Sequence, residues 1–345
     1  MTGGEPRPRA ELFVGPEFAP DPPQTARLAS LDALSATTDE SAVSWPAHPV
    51  SRETLPAPTH PRVLVVANQK GGVGKTTTAV NLAAAFAQGG LTTLLIDVDP
   101  QGNASTALGV DHRDGIRGTY EVLLDGHEIA WHAVASPEAP HLRVLPATID
   151  LAAAELELVP VVGRERRLAD ALAEYLATTP TDYVLLDCPP SLGLLTLNAL
   201  VAATELLLPI QTEYYALEGV SQLVRTIQRV TAELNPQLAL TTVILTMYDA
   251  RTRLSAQVAD EVRRHFPDQT LTTAVPRSVR VAEAPSYGQT VMTYHAGSAG
   301  AEAYRAIARE VARRGSLGPA PRHDRDELDP SLHPPKQDTS QGDRQ

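Results

Sequence analysis

Sulfur chemistry is almost absent from this chain. One cysteine, Cys188, stands among 345 residues, which excludes an intramolecular disulfide framework and a multi-cysteine metal cage within one chain. Long hydrophobic runs are missing too. No stretch approaches the roughly 18–20 apolar residues that cross a bilayer, and residues 1–10 lead into no signal-type apolar core, so a soluble cytoplasmic protein is expected. Aromatics are only 4% of the residues, and lysine is rarer still: Lys70, Lys75 and Lys336 face 26 arginines. What is plentiful is aliphatic. With 43% hydrophobic residues the chain can bury a core, which excludes wholesale disorder.

Proline and charge are unevenly spread. Residues 1–61 hold 11 of the 29 prolines and residues 316–345 hold 5, without sustained apolar periodicity. Proline at that density removes backbone donors and interrupts helices. Both segments are therefore expected to be disordered tails around a folded core at 62–315. The only apolar rhythm in the first tail is Leu28, Leu31 and Leu34, too short for an independent helix. The net charge of −12 argues at first against nucleic acid. By region, residues 62–220 carry 9 basic and 19 acidic groups, whereas residues 221–315 carry 12 and 8, every basic one an arginine. The last third of the core is thus net basic.

Between the tails, short aliphatic runs at 63–68, 93–98, 142–145, 183–188, 205–210, 240–247 and 271–275 read as buried strands. Helical patterns separate them, such as Leu217, Val220, Leu223, Val224, Ile227, Val230 and Leu234. The alternation predicts an α/β fold, a mostly parallel twisted sheet flanked by helices on both faces. Such sheets bind ligands at the carboxyl ends of their strands.

The first strand runs into Asn68-Gln69-Lys70-Gly71-Gly72-Val73-Gly74-Lys75-Thr76-Thr77-Thr78 and then a helical pattern at 79–88. Gly74-Lys75-Thr76 matches the end of the phosphate-loop pattern, with Gln69 where its first glycine would stand. Gly71, Gly72 and Gly74 permit backbone shapes that turn N–H groups inward, and the helix presents its positive end to a phosphate. Lys75 would reach the β and γ phosphates, and the Thr76 hydroxyl would ligate Mg²⁺. A chain so poor in lysine that places two within six residues needs ammonium groups there. Lys70, at the mouth of the loop, is placed to extend across a dimer face toward a partner's nucleotide. Strand 93–98 brings Asp97 to its tip with Asp99 just beyond, and strand 183–188 brings Asp187. Carboxylates at buried strand tips are poorly explained by packing. Asp187 reads as an acidic Mg²⁺-site residue, with Asp97 beside it, and Asp99 as the group that orients the attacking water.

These motifs, with Asp97-Val98-Asp99-Pro100-Gln101-Gly102-Asn103, Leu186-Asp187-Cys188-Pro189-Pro190-Ser191, Gln211-Thr212-Glu213-Tyr214-Tyr215-Ala216-Leu217-Glu218-Gly219, Thr246-Met247-Tyr248-Asp249-Ala250-Arg251-Thr252 and Val275-Pro276-Arg277-Ser278-Val279-Arg280, resemble the ParA/Soj partition ATPases with the deviant Walker A motif. The resemblance covers roughly residues 62–314. It implies an ATP-sandwich homodimer in which Lys70 contacts the other subunit's phosphates, Lys70, Lys75 and Asp99 serve hydrolysis, and Thr76 and Asp187 serve Mg²⁺. It implies nucleotide contacts from Lys70 through Thr77 including Val73, and a base site near Met247, Pro276, Arg277 and Ser278, where Ser278 replaces a common asparagine. It further implies nonspecific DNA binding by the ATP-bound dimer, here through Arg251, Arg253, Arg277 and Arg280, release stimulated by a ParB-type partner, and association with the nucleoid.

Related functions fit less well. A MinD-like cell-division regulator would end in a basic amphipathic helix, but residues 315–345 are proline-rich and net acidic, so no membrane partner is expected. An iron–sulfur relative needs two cysteines per subunit. A tyrosine kinase of the superfamily needs a terminal tyrosine cluster, and the last 30 residues hold none. A ParA-like ATPase positioning a cargo other than chromosomes or plasmids has the same core.

Overall fold

The computed structural model describes residues 54–113, 115–214 and 218–316. Nearly all of both expected tails, including Leu28, Leu31 and Leu34, lies outside them. Among the described residues seven strands form one sheet: β1 (Arg62–Val66), β2 (Thr93–Asp97), β3 (Val134–Ala135), β4 (Leu142–Leu145), β5 (Tyr183–Asp187), β6 (Glu205–Gln211) and β7 (Ala239–Thr246), in the order β3-β4-β2-β5-β1-β6-β7. Every pairing is parallel except β3 with β4 at one edge.

The alternation of side chains along β1 shows how the sheet becomes covered on both sides. Val63 and Val65 face one core with Val184, Leu186 and the apolar stripes of helices Arg167–Thr178, Leu194–Ala202 and Glu218–Glu233. Leu64 and Val66 face the other, filled by α1 (Lys75–Gln88) and the terminal helix Ala299–Ser316. A strand apolar on both faces is stable only inside such a sandwich. Val80, Leu82, Ala83, Ala84 and Phe86 are all buried, and small alanines let α1 lie close to the strands. Phe86 stacks on Tyr183, with ring centroids 4.1 Å apart.

The structure corrects the strand reading in two places. The segment 271–275 runs beside β7 without becoming a strand. Leu271 and Val275 N–H groups donate to the Val243 and Leu245 carbonyls, but the pairing amounts to the isolated bridges Val243↔Thr270 and Tyr248↔Pro276, with the outward Thr272 N–H donating to the Glu310 carboxylate (3.1 Å). The edge strand Val134–Ala135 was not anticipated, since two exposed residues carry no usable periodicity. The packed part also begins before residue 62. Leu55 is buried, its N–H donates to the Gly89 carbonyl (3.0 Å), and its side chain occupies the space a Cβ on Gly89 would need. No helix among the described residues is long and apolar enough to cross a membrane.

Candidate functional site

The carboxyl ends of β1, β2, β5 and β7 converge on the loop that joins β1 to α1. Asn68 opens it. Its buried side chain donates to the Pro209 carbonyl (2.8 Å) and accepts the Lys70 N–H (3.0 Å), tying the loop to β6. Gly72 and Gly74 adopt φ of +74° and +89°, the left-handed region that side chains resist. The Thr246 hydroxyl, at the end of β7, donates to the Val73 carbonyl (2.8 Å) and clamps the loop from the far side. Gly71 and Gly72 face open space where a Cβ would stand. The result is a glycine cradle ahead of the first turn of α1, whose unpaired N–H groups carry partial positive charge.

Lys75 is buried, with Nζ 3.5 Å from the Lys70 carbonyl. Burial pushes its pKa down, and nearby negative charge, led by Asp187, opposes that shift. Asp97 and Asp187 are register partners at the tips of β2 and β5, yet they do different work. Asp97 Oδ2 accepts both the N–H (2.9 Å) and the hydroxyl (2.7 Å) of Ser105, and Oδ1 accepts the Asp99 N–H (3.2 Å). Burial pushes its carboxyl up to about 7 against those bonds. Asp97, expected at the Mg²⁺ site, thus has its oxygens engaged in holding the loop 99–105. Asp187 is fully buried and neither oxygen has a hydrogen-bond partner. Burial, then the adjacent Asp97 charge, raises its pKa well above the usual range, partly offset by the Thr76 hydroxyl, which is near but outside hydrogen-bond geometry. An unpaired buried carboxylate is costly, and a divalent cation with its ordered waters supplies what it lacks. Thr76 and Asp187 therefore fit Mg²⁺, while Asp97 fits a supporting place behind them.

Asp99 is nearly buried at the head of the following loop, and its Oδ1 accepts the Gln101 N–H (3.0 Å), leaving Oδ2 for a water. Lys70 folds back onto its own chain, Nζ to Glu213 Oε2 at 3.4 Å, with both side chains substantially exposed. A cavity of about 300 Å³ continues from Gly74 and Thr77 past Met247, Pro276, Arg277 and Ser278 to the buried ring of Tyr304. All the base-site residues expected from sequence line it. Met247 holds φ +52°, a conformation rare for a side chain with a Cβ, and so turns the chain from β7 into the cavity wall. Thr246 and Tyr304 were not foreseen. Thr246 had a signal in directly preceding Met247, whereas Tyr304 sits in an ordinary helical pattern.

The four candidate DNA arginines are all exposed. Arg251 makes a two-pronged pair with Asp249 (2.9 and 2.8 Å) and holds that carboxyl down to about 2. Its charge is largely cancelled locally, so Arg253, Arg277 and Arg280 carry more of the surface's positive potential.

This geometry has counterparts in known proteins. A family model described as an AAA domain matches residues 61–240. The chromosome partitioning protein ParA of Caulobacter vibrioides is 51% identical over 253 residues, covering 73% of this chain and 94% of its own. The sporulation initiation inhibitor protein Soj of Bacillus subtilis is 48% identical over 254 residues, 74% of this chain and 99% of its own. Among solved structures, cobyrinic acid a,c-diamide synthase from Mycobacterium smegmatis with bound ATP analog and magnesium is similar at 40% identity and a TM-score of 0.65, covering 75% of this chain and 97% of that one.

Proposed function

The chain belongs to the ParA/Soj family of chromosome-partitioning P-loop ATPases, and from that premise we propose that it is an ATP-operated dimer switch. With Mg·ATP it pairs and binds DNA without sequence preference; after hydrolysis stimulated by a ParB-type partner it lets go, which would place it on the nucleoid. The observation that carries this reading is the buried, partnerless Asp187 carboxylate opposite Lys75 and Thr76, beside a glycine cradle that opens into the Pro276–Ser278 cavity.

The division of labour follows from the geometry. The loop N–H groups and the Lys75 ammonium bind and orient the phosphates. Mg²⁺, when bound, neutralises charge that builds on the phosphate oxygens. Thr76 and Asp187 would hold it. Asp99 orients the attacking water, and positioning of this kind accounts for most of phosphoryl-transfer catalysis. The Lys70–Glu213 pair is half exposed, so releasing Lys70 toward a partner's phosphates costs no more than about 1 kcal/mol. A charge-assisted bond to phosphate more than offsets that. Pairing two subunits doubles the arginine surface of residues 251–280. Phosphate contacts add steeply with charge and weaken with salt, so a chain of net charge −12 binds DNA only as the dimer.

The test is DNA retention with ATP, with ADP and without nucleotide, each with and without the ParB-type protein. Retention in ATP alone, lost when that partner is added, supports the switch. Equal retention in all three nucleotide states refutes it. Arg253→Glu with Arg280→Glu should abolish retention in ATP while the protein still binds ATP; unchanged retention would move the DNA surface elsewhere.

A further inference from the structure

Hydrolysis on the reading above depends on where Asp99 points, and a single turn sets that direction. The Gly102 N–H donates to the Asp99 carbonyl (2.9 Å) and Asp99 Oδ1 accepts the Gln101 N–H (3.0 Å), so residues 99–102 close on themselves. Asp97 braces this turn from the buried side through Ser105. A second contact holds it from the outer side. The helix Asn103–Ala107 is only five residues long, and Gly109, at φ +66°, reverses the chain behind it. Val110 is buried, and its N–H donates to the Ser105 carbonyl (3.0 Å), which carries the returning chain back across that helix. Half-buried His112 thereby reaches Gly102. A Cβ on Gly102 would stand 2.5 Å from His112 Nδ1, 2.8 Å from its Cε1 and 2.9 Å from the Ala147 carbonyl, closer than packed atoms come. Gly102 is therefore gripped between the imidazole and the backbone that follows β4. The ring is itself fixed: Nε2 is hydrogen-bonded to the Thr106 hydroxyl (2.8 Å), and the Thr106 N–H donates to the Gly102 carbonyl (2.9 Å).

We propose, on the reading of Asp99 as the water-orienting group, that His112 is a positioning residue for ATP hydrolysis: its ring clamps Gly102 and so holds the 99–102 turn with Asp99 aimed at the attacking water. The clamp acts on the direction of one carboxylate. The phosphate contacts come from residues 70–77, on a different loop. Removing the ring leaves a void against Gly102, and the turn, braced then only from the Asp97 side, gains freedom. Misplacing a reacting group by about 1 Å costs on the order of 10²-fold in rate. Partial release of the turn therefore predicts a loss of about tenfold, expressed in kcat and not in ATP affinity. A steric clamp with one hydrogen bond requires no proton exchange, and glutamine, whose amide nitrogen falls close to the place of Nε2, can serve in its stead.

The test compares His112→Ala, His112→Gln and Asp99→Ala in the full-length protein. ATP turnover, ATP affinity, ATP-dependent dimers by light scattering and amide hydrogen exchange at Gln101 and Gly102 are measured for each. His112→Ala should lose about tenfold in kcat with KM and ATP affinity within about twofold of the parent, should still form dimers, and should exchange the Gln101 and Gly102 amides faster. His112→Gln should recover most of the rate and the slow exchange. Parent-like kcat in His112→Ala, alongside a turnover-deficient Asp99→Ala, would overturn the clamp and leave the role of Asp99 standing. Normal turnover in Asp99→Ala would instead remove the hydrolytic reading and the clamp with it. Equal losses of kcat and ATP affinity in His112→Ala, loss of its dimers, or a glutamine variant as slow as the alanine one would each overturn the proposal by showing that His112 serves the fold or the assembly alone.

Discussion

The two edges of the sheet handle buried charge in opposite ways. At the amino-terminal edge, the Arg62 guanidinium makes two bonds of 2.6 Å to Glu205, a third to the Val311 carbonyl and a fourth to the Tyr183 hydroxyl, while Glu205 also accepts the Thr241 hydroxyl. Every charge there is matched by the chain itself. At the carboxyl-terminal edge, Asp97 and Asp187 sit on neighbouring strands, both buried, and Asp187 has no partner at all. Strand burial is similar at both ends, so the difference lies in where the missing partner comes from. The amino edge is completed by folding and holds β1, β5, β6 and the terminal helix together. On the proposed reading, the carboxyl edge is completed by nucleotide and Mg²⁺.

The contrast can be broken by mutation, beginning with the largest effects. Asp99→Ala should lower ATP turnover by about 10²–10⁴-fold, the loss expected for one positioned acid–base group, while ATP-dependent dimers persist in light scattering. Near-normal turnover would remove Asp99 from the reaction. Arg62→Ala leaves Glu205 unpaired in a largely buried site and should cost about 3 kcal/mol in denaturant unfolding, the low end for a buried pair; a loss below about 1 kcal/mol would mean that the amino edge is not a fastening. Mg·ATP at a hundredfold excess over its dissociation constant should stabilise the protein by about 2.7 kcal/mol, and this gain should be absent in Lys75→Ala.

Acidity sharpens the comparison further. The Asp97 carboxyl sits at about 7 when folded and near 4 when unfolded. Between those values the folded state holds more protons than the unfolded one, so stability of the nucleotide-free protein falls as pH rises through that window. Thermal melts should therefore be lower at pH 8 than at pH 5.5, and Asp97→Asn should flatten the difference. A flat profile in the parent protein would contradict the burial of this charge. The smallest effect belongs to the exposed Lys70–Glu213 pair. Glu213→Gln should change stability by less than about 1 kcal/mol and leave Lys70 readier to pair with a second subunit, seen as dimers at lower ATP.

Much of this was legible in the sequence, for reasons that also mark where legibility ends. Six of the seven strands carry short aliphatic-rich runs, because a mostly parallel sheet covered on both faces leaves little polar alternation to confuse the reading. The phosphate loop was readable because glycine and lysine carry their constraints locally, whereas the base-site residues 247 and 276–278 were expected only from the resemblance to the ParA/Soj family. What could not be read was relational. Nothing local distinguishes Asp97 from Asp187: both end an aliphatic strand, and only the approach of Ser105 to one of them separates a loop brace from an open ligand. Segment 271–275 has strand composition, but it meets β7 only through isolated bridges, a matter of tertiary placement that no local pattern records. Tyr304 likewise enters the cavity by helix packing that no short motif records. Arg251 could be counted as a base, but its neutralisation by Asp249 is a matter of conformation.

The measurement that bears most directly on the two-edge account is the melting temperature of Asp187→Asn beside the parent protein at pH 8, with a non-hydrolysable ATP analogue and with or without Mg²⁺. Removing a buried charge that the fold does not pair should leave the ligand-free variant melting at or above the parent, and the increment that Mg²⁺ adds in the parent should disappear. A variant that melts well below the parent without ligand, yet keeps the full Mg²⁺ increment, would show that Asp187 is a structural fastening and that the carboxyl edge is not a metal–nucleotide site.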